Sequence, residues 1–491
     1  MTKKIISIDQ GTSSSRAILF DENLSFLSSE QEEFEQFFPK DGWVEHNPLD
    51  LLGSVLSVTK KLFLSNNLRP SDVASIGITN QRETTLVWDR GSGKAIYPAI
   101  VWQDRRTFSL CEELRSANLD AEIQSKTGLL LDPYFSATKL SWILDHVPGA
   151  RRRAEKGELA FGTVDSFLLW HLTEGKVHKT DITNAARTML FNLETNKWDQ
   201  DLLNLFNIPM NILPEVCDNA HQFGETSLFG GSISIGGMAG DQQSALIGQC
   251  CFQEGEAKST FGTGCFVLVN TGSKMVKSKN KLLSTVAYRL NGKTTFGLEG
   301  SIFIAGSAIQ WLRDELKFFN NAQEVETVIK KASDTSNVMV IPAFTGLGAP
   351  FWDPEARGLI YGLTRDSGIP EITLATLQSV IYQTRSLLDA MKLDGAPISK
   401  LKVDGGMVIN SWLNQELSNC LRLKVLVPKM VETTSLGAAY LAGLSAEIFP
   451  DLESLSSSWK LDKQYDFDQK LSERSNTNYE RWLRVLNKLS L

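Results

Sequence analysis

No stretch of the sequence approaches the run of about eighteen apolar residues that a membrane-spanning helix requires, so no membrane span is expected. The opening "MTKKIISIDQGT" turns polar too early for the core of a signal peptide, and none is expected there. Cysteine is scarce, with six residues at 111, 217, 250, 251, 265 and 420, no CxxC pair and no zinc-like spacing. That argues against a disulfide framework and for reduced, mostly buried thiols in a cytoplasmic protein. The five histidines, 46, 146, 171, 178 and 221, form no HExxH or other metal spacing and are assigned structural or surface roles. A surplus of positive charge is missing too: the formal net charge of -7 argues against a general binder of nucleic acid or membrane surfaces, since both favour a basic face.

The common nucleotide fingerprints are absent as well. "NGKTT" at 291–295 contains the GKT of a P-loop, but the glycine required five positions earlier is Ala287. Asn291-Gly292 between "STVAYRL" and "TTFGLEG" is expected to be a tight hairpin turn. No GxGxxG follows a strand, which removes the Rossmann cofactor site.

What is present is an ordinary globular composition, 42% hydrophobic and 22% charged, in 491 residues, a length at which a single core usually gives way to two domains. The runs "KIISID", "RAILFD" and "SIGITNQRETTLVW" are rich in β-branched and bulky apolar residues and predict buried strands, whereas "QDRRTFSLCEELRSA" has helical spacing. Strands alternating with helices predict an α/β architecture. A second series after residue 250 opens on "AKSTFGTGCFVLVNTG", which repeats the opening design of two strands around a small, polar turn. This predicts a duplicated scaffold of two closely packed lobes, residues 1–249 and 250–491, with a cleft between them. The tail after "AGLSAEIF", rich in serine and charge, is expected to form surface helices and loops.

The turn "DQGTSSS", residues 9–15, admits two readings. It is a solvated hairpin turn, or it is a grip on phosphate, with Gly11 removing a side chain where the backbone turns and Thr12, Ser13 and Ser14 offering hydroxyls beside exposed amides. In the second reading Arg16 adds positive charge, and Asp9 at the strand end orders the water shell of a magnesium ion carried by the phosphates. The similar turn Gly262-Thr263-Gly264 favours the grip, because two such turns would hold a polyphosphate from both sides of the cleft.

"DQGTSSSRA", "GITNQRETTLVW", "GTVDSFLLW", "MAGDQQSAL", "FGTGCF", "PAFTGLGAPFWDP" and "VDGG" follow one another in the order found in the FGGY carbohydrate kinases. "YFSATKLSWILDH", residues 134–146, and "GLIYGLTRDSGIPEITLATLQ", residues 358–378, resemble that family's two signatures. The resemblance covers about residues 4 to 445. It implies a two-lobed, actin-like fold of the hexokinase, Hsp70-ATPase and ribonuclease H-like type, with the active site in the interlobe cleft. "TNQRETTLVW" and "GDQQ" point to the members that phosphorylate glycerol to sn-glycerol 3-phosphate in glycerol catabolism, with ATP and Mg2+. On this resemblance Arg82, Glu83, Tyr134, Asp241 and Gln242 bind the glycerol hydroxyls, Trp102 and Phe266 wall the carbon chain, and Asp241 is the general base. Thr12, Ser13, Ser14 and Arg16 resemble the first phosphate loop and Thr263 the second, while Gly306, Gln310, Gly406 and Asn410 resemble the contacts to ribose, phosphate and adenine. A homo-oligomer, dimer or tetramer, is implied too. Two departures bear on regulation. Ser232 stands where some members carry an arginine that binds fructose 1,6-bisphosphate, and Ser227 where others carry a phosphorylatable histidine, so neither control is expected here. The alternatives are a xylulokinase-like sugar kinase and an actin- or Hsp70-like ATPase switch.

Overall fold

A computed structural model of the chain describes residues 3–333 and 337–488. Two mixed β-sheets dominate it, and they share one plan. The first runs, from edge to edge, Phe26–Glu33, Ser14–Phe20, Lys4–Gln10, Val73–Asn80, Ile233–Gly240, Ala220–Thr226. The second runs Leu283–Leu290, Lys293–Ile302, Cys265–Gly272, Glu256–Phe261, Lys400–Asp404, Val425–Pro428, Leu461–Tyr465. In both, an antiparallel hairpin opens the lobe, two strands add parallel to its first strand, and an antiparallel strand closes that edge. The two parallel strands next to each hairpin are buried almost end to end, as parallel strands covered on both faces must be. The duplicated α/β scaffold expected from the two glycine-bearing hairpins is therefore present.

The lobes meet through equivalent helices. Asp241–Gly248 follows the fifth strand of the first sheet, and Thr433–Ser445 follows the corresponding strand of the second. A Cβ on Gly437 would lie 1.9 Å from the Ser244 carbonyl oxygen, and one on Gly248 would lie 1.9 Å from that of Thr433. Only glycine at both positions lets the two backbones approach so closely. The second helix also closes a core shared by the lobes, in which Ile5, Ile18 and Phe20 pack with Leu436, Ala439 and Tyr440. A further apolar core, built around Val87, Ile100, Phe135, Leu140 and Phe161, sits beside the first sheet.

Leu290 and Lys293 end two strands joined at Asn291 (φ 50°) and Gly292 (φ 72°), the left-handed pair of a tight hairpin turn, as the sequence predicts. All six cysteines are free and buried. The tail forms the expected helices, Leu452–Ser458 and Gln469–Leu486, but is not confined to the surface. Leu461–Tyr465 adds an edge strand to the second sheet, and helix Gln469–Leu486 buries Tyr479, Trp482, Val485 and Leu486 in that lobe's core. Its apolar residues are few but fall on one helical face, and burial of that stripe outweighs a polar overall composition.

Candidate active site

The first hairpin turn is closed by the Gly11 amide donating to the Ser14 carbonyl at 2.9 Å. Its tip is held from outside: the Trp102 indole donates to Thr12 Oγ1 at 3.0 Å, Gln36 to the Thr12 carbonyl at 2.9 Å, and Gln31 to Ser14 Oγ at 3.0 Å. Ser13 is exposed. Arg16 pairs with Glu432, which precedes the interlobe helix Thr433–Ser445, at 2.5 Å, and also donates to Gln31. In the second turn the Gly262 amide donates to the Gly264 carbonyl at 2.9 Å, leaving Thr263 exposed at the tip. The start of helix Gly306–Asp314 leans on that turn, with Gly306 N–H on the Gly262 carbonyl at 2.9 Å. A Cβ at Gly306 would come within 2.5 Å of that carbonyl, so the glycine there serves helix packing on the hairpin. Gln310 is exposed one turn further on. Nothing approaches the missing Cβ of Gly406, whereas Asn410 caps helix Ser411–Leu421 by accepting from the Leu413 amide at 2.9 Å.

A second, charged cluster lies beyond the end of strand Val73–Asn80. Adjacent residues of a regular strand face opposite ways, but Glu83 has a left-handed backbone (φ 59°), and Arg82 and Glu83 turn into the same buried cluster. Arg82 grips Glu299 bidentately at 2.5 and 3.0 Å and donates to Gln243 at 3.1 Å. Its Nε lies 3.0 Å from Asp241 Oδ1. Arg187 Nε donates to Glu83 at 2.6 Å and its Nη2 lies 3.0 Å from Glu299. Burial opposes the charge of Arg82, but Glu299, Glu83 and Asp241 more than offset it, so the guanidinium stays cationic. Burial also raises the Glu299 carboxyl, yet Arg187 and Arg82 bring it down to about 2. Burial pushes Glu83 above the usual carboxylate range, opposed by Arg187 and Arg82. Tyr134, its phenol raised by burial and by Glu83, stands edge-on to Trp102 at 5.6 Å and links this cluster to the first turn.

Asp241 opens helix Asp241–Gly248 and is partly exposed, with Gln242 donating to both of its oxygens at 2.7 and 3.1 Å. Gln242 in turn accepts from Lys258, a buried lysine of the second lobe. Phe266, partly buried, pairs with Thr260 and Ser301 in the second sheet. The structure thus brings Thr12, Arg82, Glu83, Trp102, Tyr134, Asp241 and Gln242 into one connected site at the lobe seam. Glu299, Arg187, Lys258 and Gln243, which tie it together, were not singled out from sequence. A signal existed for two of them. Glu299 in "TTFGLEGSIF" and Arg187 in "NAARTML" are lone charges in small or apolar runs, which have to find partners when buried.

Asp9 is next to last in the first strand and accepts from Ser435 Oγ at 3.3 Å. Burial and the charge of Asp241 push its carboxyl up to about 7, against Arg16. Among the described residues no group of three or more His, Cys, Asp or Glu offers a closed metal cage. Two mutually repelling carboxylates do fit a hard cation that brings its own waters and phosphate oxygens, as magnesium does. A carboxyl raised in the fold disfavours folding as pH climbs from the unfolded toward the folded value. Asp9→Asn is therefore expected to melt higher than the unsubstituted chain, by a margin that widens as pH rises from about 4 to about 7, and to lose most activity. Melting curves across that range check the first half, and a margin that shrinks with pH contradicts it.

Residues 4–248 match the FGGY family of carbohydrate kinases, N-terminal domain, and residues 257–446 match its C-terminal domain. The chain is 55% identical over 491 residues to glycerol kinase 1 of Pseudomonas aeruginosa, covering 100% of this chain and 99% of that one. It is 55% identical over 493 residues to glycerol kinase of Ectopseudomonas mendocina, with the same coverage. The crystal structure of Plasmodium falciparum glycerol kinase with ADP superposes with a TM-score of 0.93 at 36% identity, over 100% of this chain and 99% of that one. The ligand-bound xylulose kinase of Lactobacillus acidophilus shares the fold, at a TM-score of 0.90 and 21% identity over 99% and 98%. With both of its domains matched and relatives alike along the whole length, the chain belongs to the FGGY family of carbohydrate kinases.

Proposed function

We propose that this chain transfers the γ-phosphoryl group of ATP to a terminal hydroxyl of glycerol, giving sn-glycerol 3-phosphate and ADP. The observation that carries the proposal is the cluster of Arg82, Glu83, Asp241 and Gln242 beside the Trp102–Tyr134 pair, at the seam of two lobes that each open on a small-residue turn. Full-length identity of 55% to curated glycerol kinases supports the choice of triol. Guanidinium and amide donors with carboxylate acceptors match the hydroxyls, and the aromatic pair, with Phe266, covers the carbon chain. A site that bonds each hydroxyl rejects analogues lacking one, since its own buried polar groups would be left unpaired.

In this reading Asp241 orients the attacking hydroxyl and accepts its proton as the oxygen reaches phosphorus. Phosphoryl transfer through a loose transition state draws mainly on positioning and charge neutralisation. Thr12, Ser13, Ser14 and Thr263 face the phosphates, and Gly306, Gln310, Gly406 and Asn410 the remainder of the nucleotide. Arg16 joins the phosphate loop by exchanging Glu432 for phosphate oxygens. Magnesium carried by the nucleotide neutralises phosphate charge, and Asp9 is the residue that would hold its water shell. The lobes divide at residues 249 and 250. A cytoplasmic location, which six buried free thiols suit, and a dimeric or tetrameric assembly belong to the same reading.

Mg-ATP with glycerol is expected to release ADP, in a coupled assay run alongside dihydroxyacetone, glyceraldehyde and several pentoses. ADP release on a pentose or ketose but none on glycerol would overturn the substrate.

A further inference from the structure

The segment 181–187 touches both halves of the acceptor site from behind. Asp181, fully buried, caps the short helix Ile182–Ala185, accepting from the amides of Thr183 at 2.7 Å and Asn184 at 3.3 Å. It also accepts from the Thr183 hydroxyl, from Asn184 Nδ2 at 2.6 Å and from Asn219 Nδ2 at 2.9 Å. These donors offset part of the cost of burying a carboxylate, and burial still holds the Asp181 carboxyl above its ordinary range.

Two arms leave this hub. In the first, the Thr183 hydroxyl, its proton turned to Asp181, accepts from the Gly240 amide at 2.9 Å, and Gly240 immediately precedes Asp241. In the second, Asn184 and Asn80 exchange two side-chain hydrogen bonds, at 2.9 and 3.1 Å. Asn80 Nδ2 also reaches the Gln81 carbonyl at 2.7 Å, in the peptide that leads into Arg82. Every amide hydrogen of Asn184 and Asn80 is thereby committed. The pair can hold the Arg82 strand end in one register only.

We propose that Asp181 is a positioning residue for the transfer reaction, setting through Thr183 the backbone from which Asp241 projects and through Asn184 and Asn80 the backbone that carries Arg82. The inference rests on the roles given above to Asp241 and Arg82. Misplacement of a reacting group by about 1 Å is costly even when its cause lies away from the chemistry, so a hub behind the site still governs rate. The arms are separable. The first acts on the reacting hydroxyl and so on kcat, and the second on glycerol binding and so on the KM for glycerol; only the second runs on toward a phosphate turn, since Gln81 donates to the Gly11 carbonyl at 3.1 Å.

The test is steady-state kinetics of the full chain with glycerol and ATP varied separately, for Thr183→Val, Thr183→Ser and Asn184→Ala, with melting temperatures beside them. Thr183→Val keeps the shape and removes the acceptor, and is expected to lower kcat about tenfold with the KM for ATP unchanged, a loss of the size of one hydrogen bond. Thr183→Ser restores kcat, and Asn184→Ala raises the KM for glycerol about tenfold. Unchanged kcat in Thr183→Val overturns the inference. So does a loss shared by all three variants that follows melting temperature and leaves both KM values alone, the mark of a merely structural segment. Should the unsubstituted chain prefer another polyol, the substrate reading fails by itself, and the same kcat and KM split is read with that polyol.

Discussion

Asp241→Asn is expected to lower kcat by about 10²–10⁴-fold while glycerol still binds, the range that general-base assistance covers. The substitution keeps the size of the side chain and one oxygen, so the 3.0 Å approach to Arg82 and the amide bond from Gln242 have an acceptor. What it removes is the negative charge and the basic oxygen to which the proposed mechanism gives the hydroxyl proton. Arg82 does not swing free, because Glu299 holds it bidentately at 2.5 and 3.0 Å, and Gln242, though its Nε2 loses the Oδ2 acceptor, stays anchored by Lys258, so the proposed glycerol ligands keep most of their supports. The loss therefore falls on kcat and not on affinity, which direct calorimetric titration with glycerol and steady-state kinetics separate. Turnover within tenfold of the unsubstituted chain would take Asp241 out of the base role and leave it as an orienting group.

Much of the scaffold was legible because each lobe opens on the same local signal, two apolar runs around a small polar turn, and a turn needs only neighbouring residues to declare itself. The interlobe helix was not. "TTSLGAAYLAGLS" is small or apolar on every side and shows no stripe, because it is buried against the first sheet and against helix Asp241–Gly248 at once. The acceptor site was legible only as separate residues. Arg82 and Glu299 are 217 positions apart, and no local pattern reports a pairing at that range. Glu83 defeated the alternation rule through a left-handed backbone that Gln81, Arg82 and Thr84 around it do not announce. The final helix was legible and misread: Tyr479, Trp482 and Leu486 mark one face, but serine and charge around them carried the composition.

Glu299→Ala is expected to destabilise the fold by about 3–5 kcal/mol, the usual cost of removing one partner from a buried ion pair. Glu299 is fully buried and is shared by Arg82 and Arg187, so its loss leaves two guanidinium groups together with only Glu83 and the partly exposed Asp241 to balance them. Arg82 would be drawn from its place beside Asp241, and glycerol saturation should be lost along with stability. Glu299→Gln, which keeps the shape and an acceptor, is expected to fall between. The pH dependence separates lost charge from lost packing. The Glu299 carboxyl is held at about 2 in the fold against 4.5 when unfolded, so its contribution is complete above the unfolded value and fades as pH falls through the folded one. The stability gap between the unsubstituted chain and Glu299→Gln should therefore be widest near neutral pH and close as pH falls from about 4.5 toward about 2. Denaturant titrations across that interval measure it. A gap that stays constant would mean that Glu299 holds the site by shape, and that the arginines on either side are neutralised by Glu83 and Asp241 alone.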